Sequence, residues 1–216
     1  MSLAACSGAA GSEACFSLAE HLATVERRVA RLATLDADVP HVAEAREFVA
    51  ARLQPAWADV KANILSGATA EGLVLDAAIP ADQSCLSPSD FGFHNALIDD
   101  AGKLTFLDFE YAGRDDPAKL VSDFFCQPEV PVPLAVHEHF IERLTEGLGL
   151  DAASVARCRL LIDAYQIKWT CIILNDFLPL GAARRAFADV GAWEKRCAEQ
   201  LAKADAKLGL IGATSD

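Results

Sequence analysis

The stretch SDFGFHNALIDDAGKLTFLDFEYAGRDDP, residues 89–117, decides how the chain is read. Ala96–Ile98 and Lys103–Leu107 have the composition of two short strands, and Asp99-Asp100-Ala101-Gly102 between them is turn chemistry, so a β-hairpin is expected. A hairpin returns the chain to its starting point. Asn95 at the entrance and Asp108 at the exit should therefore lie together, with Asp90 in the polar loop just before them. Two carboxylates and an amide oxygen converging at a strand end form a hard, all-oxygen site that suits Mg²⁺, which keeps several waters for phosphate. A carboxylate left off the metal can orient a hydroxyl and accept its proton. Phosphoryl transfer needs those parts, because it is mostly positioning and charge neutralisation.

Outward from the hairpin the pattern is helical. Ser17 with Glu20 reads as a capping box, and Leu18, Leu22, Val25, Val29 and Leu32 follow on one helix face. A second helical pattern starts after Pro40 with Val42, Ala45, Val49 and Leu53. Pro55 is placed to kink or split it, and helix resumes through Trp57 to Leu65. A strand or turn is expected around Leu73-Val74-Leu75. Asp116-Pro117 reads as an N-cap and first helical residue, opening a helix to about Cys126. Gln127–Pro133, with three prolines, is a loop. Helices follow at about 134–148, 152–177 and 181–208. Residues 1–15 and 211–216 read as flexible ends around one domain, 16–210. The expected fold is mainly α with a central β-hairpin.

Composition bounds the function. The 216 residues suffice for one sizeable core. A net charge of -12 argues against a nucleic-acid partner, whose phosphates need Lys and Arg. The seven cysteines are odd in number and form no C-x-x-C pair, so neither zinc nor a disulfide framework is suggested and a reducing cytoplasm fits best. The most apolar stretch, Leu160–Leu180, is interrupted by Asp163, Lys168 and Asp176, so no membrane span is read.

The order Asp, four residues, Asn, hairpin, Asp-Phe-Glu, then a Gly-Arg-Asp-Asp-Pro helix start resembles the catalytic half of the aminoglycoside phosphotransferase and choline kinase family, within the protein-kinase-like folds. The segment IKWTCIILNDF, residues 167–177, and the closing helix are similar to that family's C-terminal helices, less specifically. The resemblance implies a C-terminal lobe, with Asp90 as catalytic base, Asn95 holding Mg²⁺, and Asp108 holding Mg²⁺ and bridging the phosphates of ATP or another NTP. It implies a small-molecule hydroxyl as acceptor. Two departures stand out. Pro88 replaces the His of the family's His-x-Asp, so the loop must be ordered from elsewhere. The family's N-terminal β-lobe, with its phosphate-covering loop and strand lysine, is absent from the reading: the residues before Asp90 look helical, no lysine precedes Lys61, and Ser7–Ser12 looks like a floppy end. Feeble or no turnover by this chain alone is the expectation.

Other readings stand beside these. The chain can be a degenerate, non-catalytic binding or scaffolding module, with apolar surface at the position of the lacking lobe recruiting a partner or driving self-association. A metal-dependent phosphoester hydrolase is a third reading. Glu110 is a further ligand or a solvated carboxylate. His94 reads as structural rather than as a ligand. Asp115 and Asp116 read as caps, and Asp123 as a candidate brace for the catalytic loop through its backbone N–H groups. His137, His139 and Arg184-Arg185 read as surface residues, and Trp169, Phe177 and Trp193 as core.

Overall fold

The computed structural model describes residues 8–179 and 190–212. Eight α-helices are described: α1 (Leu18–Arg31), α2 (Val42–Phe48), α3 (Gln54–Ala70), α4 (Pro117–Cys126), α5 (His137–Leu148), α6 (Ala152–Leu160), α7 (Ile162–Ile173) and α8 (Val190–Leu208). Four three-residue strands lie between α3 and α4: β1 (Cys85–Ser87), β2 (Ala96–Ile98), β3 (Leu104–Phe106) and β4 (Gly113–Asp115). They make two antiparallel pairs, β1–β4 and β2–β3. The chain is thus mainly helical, and among the described residues no strand precedes Cys85.

Helix α1 starts as its capping residues dictate. Ser17 Oγ accepts from the Glu20 amide at 3.2 Å, and Glu20 Oε2 accepts from the Phe16 amide. Its stripe Leu18, Leu22, Val25 and Val29 is buried and packs on α7. Helix α7 is buried on nearly every side, with Tyr165, Gln166, Ile167, Lys168, Thr170 and Cys171 all inside, because α1, α3, α4, α6 and α8 surround it. The six described cysteines are buried. No helix among the described residues is long and apolar enough to cross a membrane.

Several expectations meet a different structure. Pro55 does not end the helical run, which continues through residues 42–70. A wide π-type turn over Val49–Leu53 joins α2 to α3, and Pro55 falls in the first turn of α3, where its missing N–H costs little. The helix expected over 152–177 divides at Leu161, whose ψ of -10° turns the backbone so that α6 and α7 both pack on α4. Of the strand or turn expected around 73–75, the structure holds the turn, with the Ala77 amide donating to the Val74 carbonyl at 3.2 Å. His137 is buried rather than exposed, at 3%, edge-on to the Phe125 ring. Arg184-Arg185 lies outside the described residues.

The expected loose start of the chain is, from residue 9, hydrogen-bonded along β4. The Arg114 amide donates to the Ala9 carbonyl at 2.8 Å, and the Gly11 amide donates to the Arg114 carbonyl at 3.1 Å. A Cβ on Gly113 would sit 2.6 Å from the Gly11 Cα, so glycine is what lets these two backbones approach.

Helix α4 is buried along its whole length, and its charges are paired inside the core. Lys119 Nζ lies 3.2 Å from Asp115 and 3.1 Å from Asp123. Asp123 also accepts from Lys168 at 2.7 Å and from the Trp169 indole at 3.0 Å. Beside this, Asp116 Oδ1 caps α4 by accepting from the Ala118 amide, while its Oδ2 meets His21 Nε2 at 3.1 Å and Arg157 Nε at 2.9 Å. His21 Nδ1 is 2.8 Å from the Tyr165 hydroxyl. Burial is the largest single influence and opposes a charge on His21, but the hydrogen bonds to and charges of Asp116 and Cys15 together outweigh it and raise the imidazole to about 9.

Two outcomes follow. Asp123→Asn removes the partner of two buried ammonium groups and should cost about 3–5 kcal/mol in denaturant unfolding, whereas Lys61→Ala, which breaks an exposed pair with Glu26, should cost less than about 1 kcal/mol. The His21 shift is upward, so its stabilisation is complete below an unfolded pKa near 6.5 and disappears as pH rises through about 9. Stability should therefore fall by on the order of 3 kcal/mol between pH 6.5 and 9.5, a slope that His21→Gln removes when melting is followed across that range.

Candidate functional site

The site is a loop held at its base by a ladder. β1 and β4 pair through Cys85–Asp115, Leu86–Arg114 and Ser87–Gly113, which closes off residues 88–112 as one excursion from the helical core. Inside it, β2 and β3 pair through Ala96–Phe106, Leu97–Thr105 and Ile98–Leu104, the hairpin expected from sequence. One more backbone bond extends the hairpin at its open end, from the Leu107 amide to the Asn95 carbonyl at 2.8 Å. Asp108 is the next residue.

Asn95 ties that end to the preceding loop. Its Nδ2 donates to the Asp90 carbonyl at 3.0 Å. Hydrogen bonds and chain continuity thus connect Asp90, Asn95 and Asp108 at one end of the hairpin. Asp108 has φ of +60°, a left-handed conformation that L-residues avoid outside turns and special sites. Its neighbours in sequence enforce it: Leu107 is fixed by the ladder, and the Ala112 amide closes a turn on the Phe109 carbonyl at 3.0 Å. Strain held by surrounding structure is a feature of functional positions.

The loop that carries Asp90 is ordered without a histidine at position 88. Ser87 Oγ accepts from the Ser89 amide at 3.2 Å, and Ser89, itself at φ +70°, donates from Oγ to the Tyr111 carbonyl at 2.9 Å. Pro88 between them is buried. Phe91 and Phe93 pin the other side. Phe91 lies 4.9 Å from both Phe106 of β3 and Phe124 of α4, and Phe93 lies 5.2 Å from Phe124. Sequence reasoning passed over both rings; their alternation about Gly92 was the available signal.

His94 has the structural role expected of it, and its partner is Asp90. His94 Nε2 is 3.1 Å from Asp90 Oδ1, and this imidazole is half-buried. With Nε2 donating to the carboxylate, Nδ1 is left as an acceptor, and it is buried without a hydrogen-bond partner. A Cβ on Gly92 would come 2.6 Å from that Nδ1 and 2.9 Å from Gln127 Cγ. Gly92 has an extended φ of 176°, so the constraint there is space alone.

Asp123 does not brace this loop. It is consumed by Lys119, Lys168 and Trp169 in the core. Asp115 supplies the anchoring bonds to backbone, its Oδ1 accepting from the Cys15 and Asp116 amides at 3.0 and 2.9 Å. Asp116 is a cap, as expected, and also half of a buried ion pair. Phe177 is fully buried, and Trp169 and Trp193 pack against the core. Glu110 sits beside the Tyr111 phenol, and hydrogen bonding between them pushes that phenol's pKa up. Lys61, on α3, is paired with Glu26 and has no part in the site.

The donor set left free is oxygen. Asn95 Oδ1 and the exposed Asp108 carboxylate make no hydrogen bond or ion pair among the described residues, whereas one Asp90 oxygen is taken by His94. An amide oxygen and a carboxylate fit a hard divalent ion that retains water. No group of three or more His, Cys, Asp or Glu side chains among the described residues is placed to hold a metal ion. Comparison with protein-family models, with characterised proteins and with solved structures found no match to the chain.

Gly92→Ala should displace His94 from Asp90 while leaving the fold intact. The expected observation is a shifted His94 imidazole resonance in NMR, with a loss of stability below about 1.5 kcal/mol; an unmoved His94 signal would refute the steric role.

Proposed function

We propose that this domain descends from small-molecule phosphotransferases and supports ATP- and Mg²⁺-dependent phosphoryl transfer to a hydroxyl. What supports the reading best is the Asn95 bond to the Asp90 backbone at one end of a hairpin whose other strand leads into the left-handed Asp108. In this reading Asn95 and Asp108 hold the ion, and Asp90, kept off the metal and oriented by His94, aligns the acceptor hydroxyl and takes its proton. The ion, when bound, neutralises phosphate charge. That role is needed here, because none of the three side chains makes an ion pair with a lysine or arginine among the described residues. The described residues before β1 form helices, turns and loops and offer no strand lysine to grip the nucleotide, so turnover by this chain alone is expected to be feeble.

A second reading, a non-catalytic docking module of the same descent, is favoured by one observation. The hairpin and its flanks expose Leu86, Leu97, Ile98, Leu104, Phe109 and Tyr111, a concentration of apolar surface uncommon on a free domain. A second lobe or a second copy of the chain would cover it.

Calorimetric titration with ATP and Mg²⁺ separates the two. The phosphotransferase reading expects binding that Asp108→Ala weakens at least about tenfold and that Asp90→Asn leaves within about twofold, since the base faces the acceptor rather than the nucleotide. No heat at saturating nucleotide and metal gives the docking module instead.

A further inference from the structure

A separate cavity of about 570 Å³ opens where the Gln127–Leu134 loop passes α7 and the end of α8. That size suits a small organic molecule. Most of its wall is apolar, from Phe125, Pro131, Val132, Pro133, Leu134 and Leu210. Asp90, Asn95 and Asp108 do not line it, so it is independent of the phosphoryl-transfer reading.

Four polar side chains interrupt the apolar wall; Gln127 accepts from the Glu129 and Val130 amides and Lys203 pairs with Glu129, which leaves Gln166 and Lys207. Gln166 of α7 is 1% exposed, yet neither Nε2 nor Oε1 of its amide has a hydrogen-bond partner. Leaving such a group unpaired is costly, and a ligand's polar end would recover that cost. Lys207 of α8 is 7% exposed and makes no hydrogen bond or ion pair among the described residues. Burial pushes its ammonium below the usual lysine range. The other buried lysines, Lys119 and Lys168, both have aspartate partners, so Lys207 is the exception among them. Lys203, one turn earlier on the same face, is matched by Glu129 at 2.7 Å. The cavity therefore carries one uncompensated positive charge, an amide with spare donor and acceptor, and a rigid apolar wall.

We propose that this cavity binds an organic monocarboxylate with an apolar body, its carboxylate between Lys207 and the Gln166 amide and its hydrocarbon against Phe125 and the proline loop. An alcohol of the same length would lose the charge-assisted bond, and an amine would meet Lys207 as a like charge.

Titration of the full chain with sodium octanoate, without nucleotide or metal, tests this. Octanoate should bind with Kd in the range of about 10–300 µM, and 1-octanol at least about tenfold more weakly. Lys207→Met should weaken octanoate at least about tenfold while Lys207→Arg retains most of the affinity, and Gln166→Leu should weaken it at least about threefold. Replacing an unpaired buried charge by an apolar side chain should not lower the melting temperature, so loss of binding in Lys207→Met is separable from unfolding. No heat at about 5 mM octanoate, equal affinity for octanol, or unchanged affinity in folded Lys207→Met would each overturn the assignment.

Discussion

Two adjacent aspartates with no solvent exposure, Asp115 and Asp116, hold the parts of this molecule together. Asp115 is the last residue of β4, pairs with Cys85 of β1, and reaches both the Cys15 amide and Lys119. Asp116 caps α4 and draws in His21 of α1 and Arg157 of α6. The chain's start, the strand ladder and three helices thus meet at two carboxylates. Burying charge is expensive, and it is tolerated here because every carboxylate has an opposite charge or backbone N–H within reach. The consequence is geometric: the ladder is fixed to the core, and the excursion over residues 88–112 hangs from a rigid base.

On that base the loop around Asp90 is ordered by two unlike means. Serines 87 and 89 bind backbone, and Phe91 and Phe93 stack on Phe106 and Phe124. These contacts order the loop with a proline, Pro88, two residues before Asp90. The hydrogen bonds are short-range and the ring contacts reach into α4, so the loop's position is coupled to the same helix that the buried aspartates start. His94 sets the direction of the Asp90 carboxylate, and Gly92 leaves His94 the room to do so.

Much of this was legible in the sequence, for physical reasons that differ by element. The β2–β3 hairpin was readable because strand composition and turn residues agree, and α1 because cap and stripe agree. The ladder β1–β4 was not, since Cys-Leu-Ser and Gly-Arg-Asp carry no strand pattern and pair only because Asp115 and Gly113 are held by distant partners. The division at Leu161 carries no glycine or proline and comes from packing on α4. The tie of Asn95 to the Asp90 backbone and to Leu107, the residue before Asp108, was legible, because a hairpin returns the chain to its start. The role of Asp123 was not: spacing placed it near the loop, but only the fold brings Lys168, 45 residues away, to claim it. His137 was misplaced because an aromatic neighbour, Phe125, gives it a buried seat that helical periodicity does not reveal.

The account stands or falls on whether the end of the hairpin gathers a hard cation. Paramagnetic broadening by Mn²⁺ in the ¹⁵N-labelled chain measures this directly, since Mn²⁺ substitutes for Mg²⁺ at oxygen ligands. The account predicts that substoichiometric Mn²⁺ first broadens the amides of residues 90–96 and 107–110, and that Mg²⁺ in excess restores them. Broadening spread evenly over the acidic surface, or centred on residues away from Asn95 and Asp108, would contradict it.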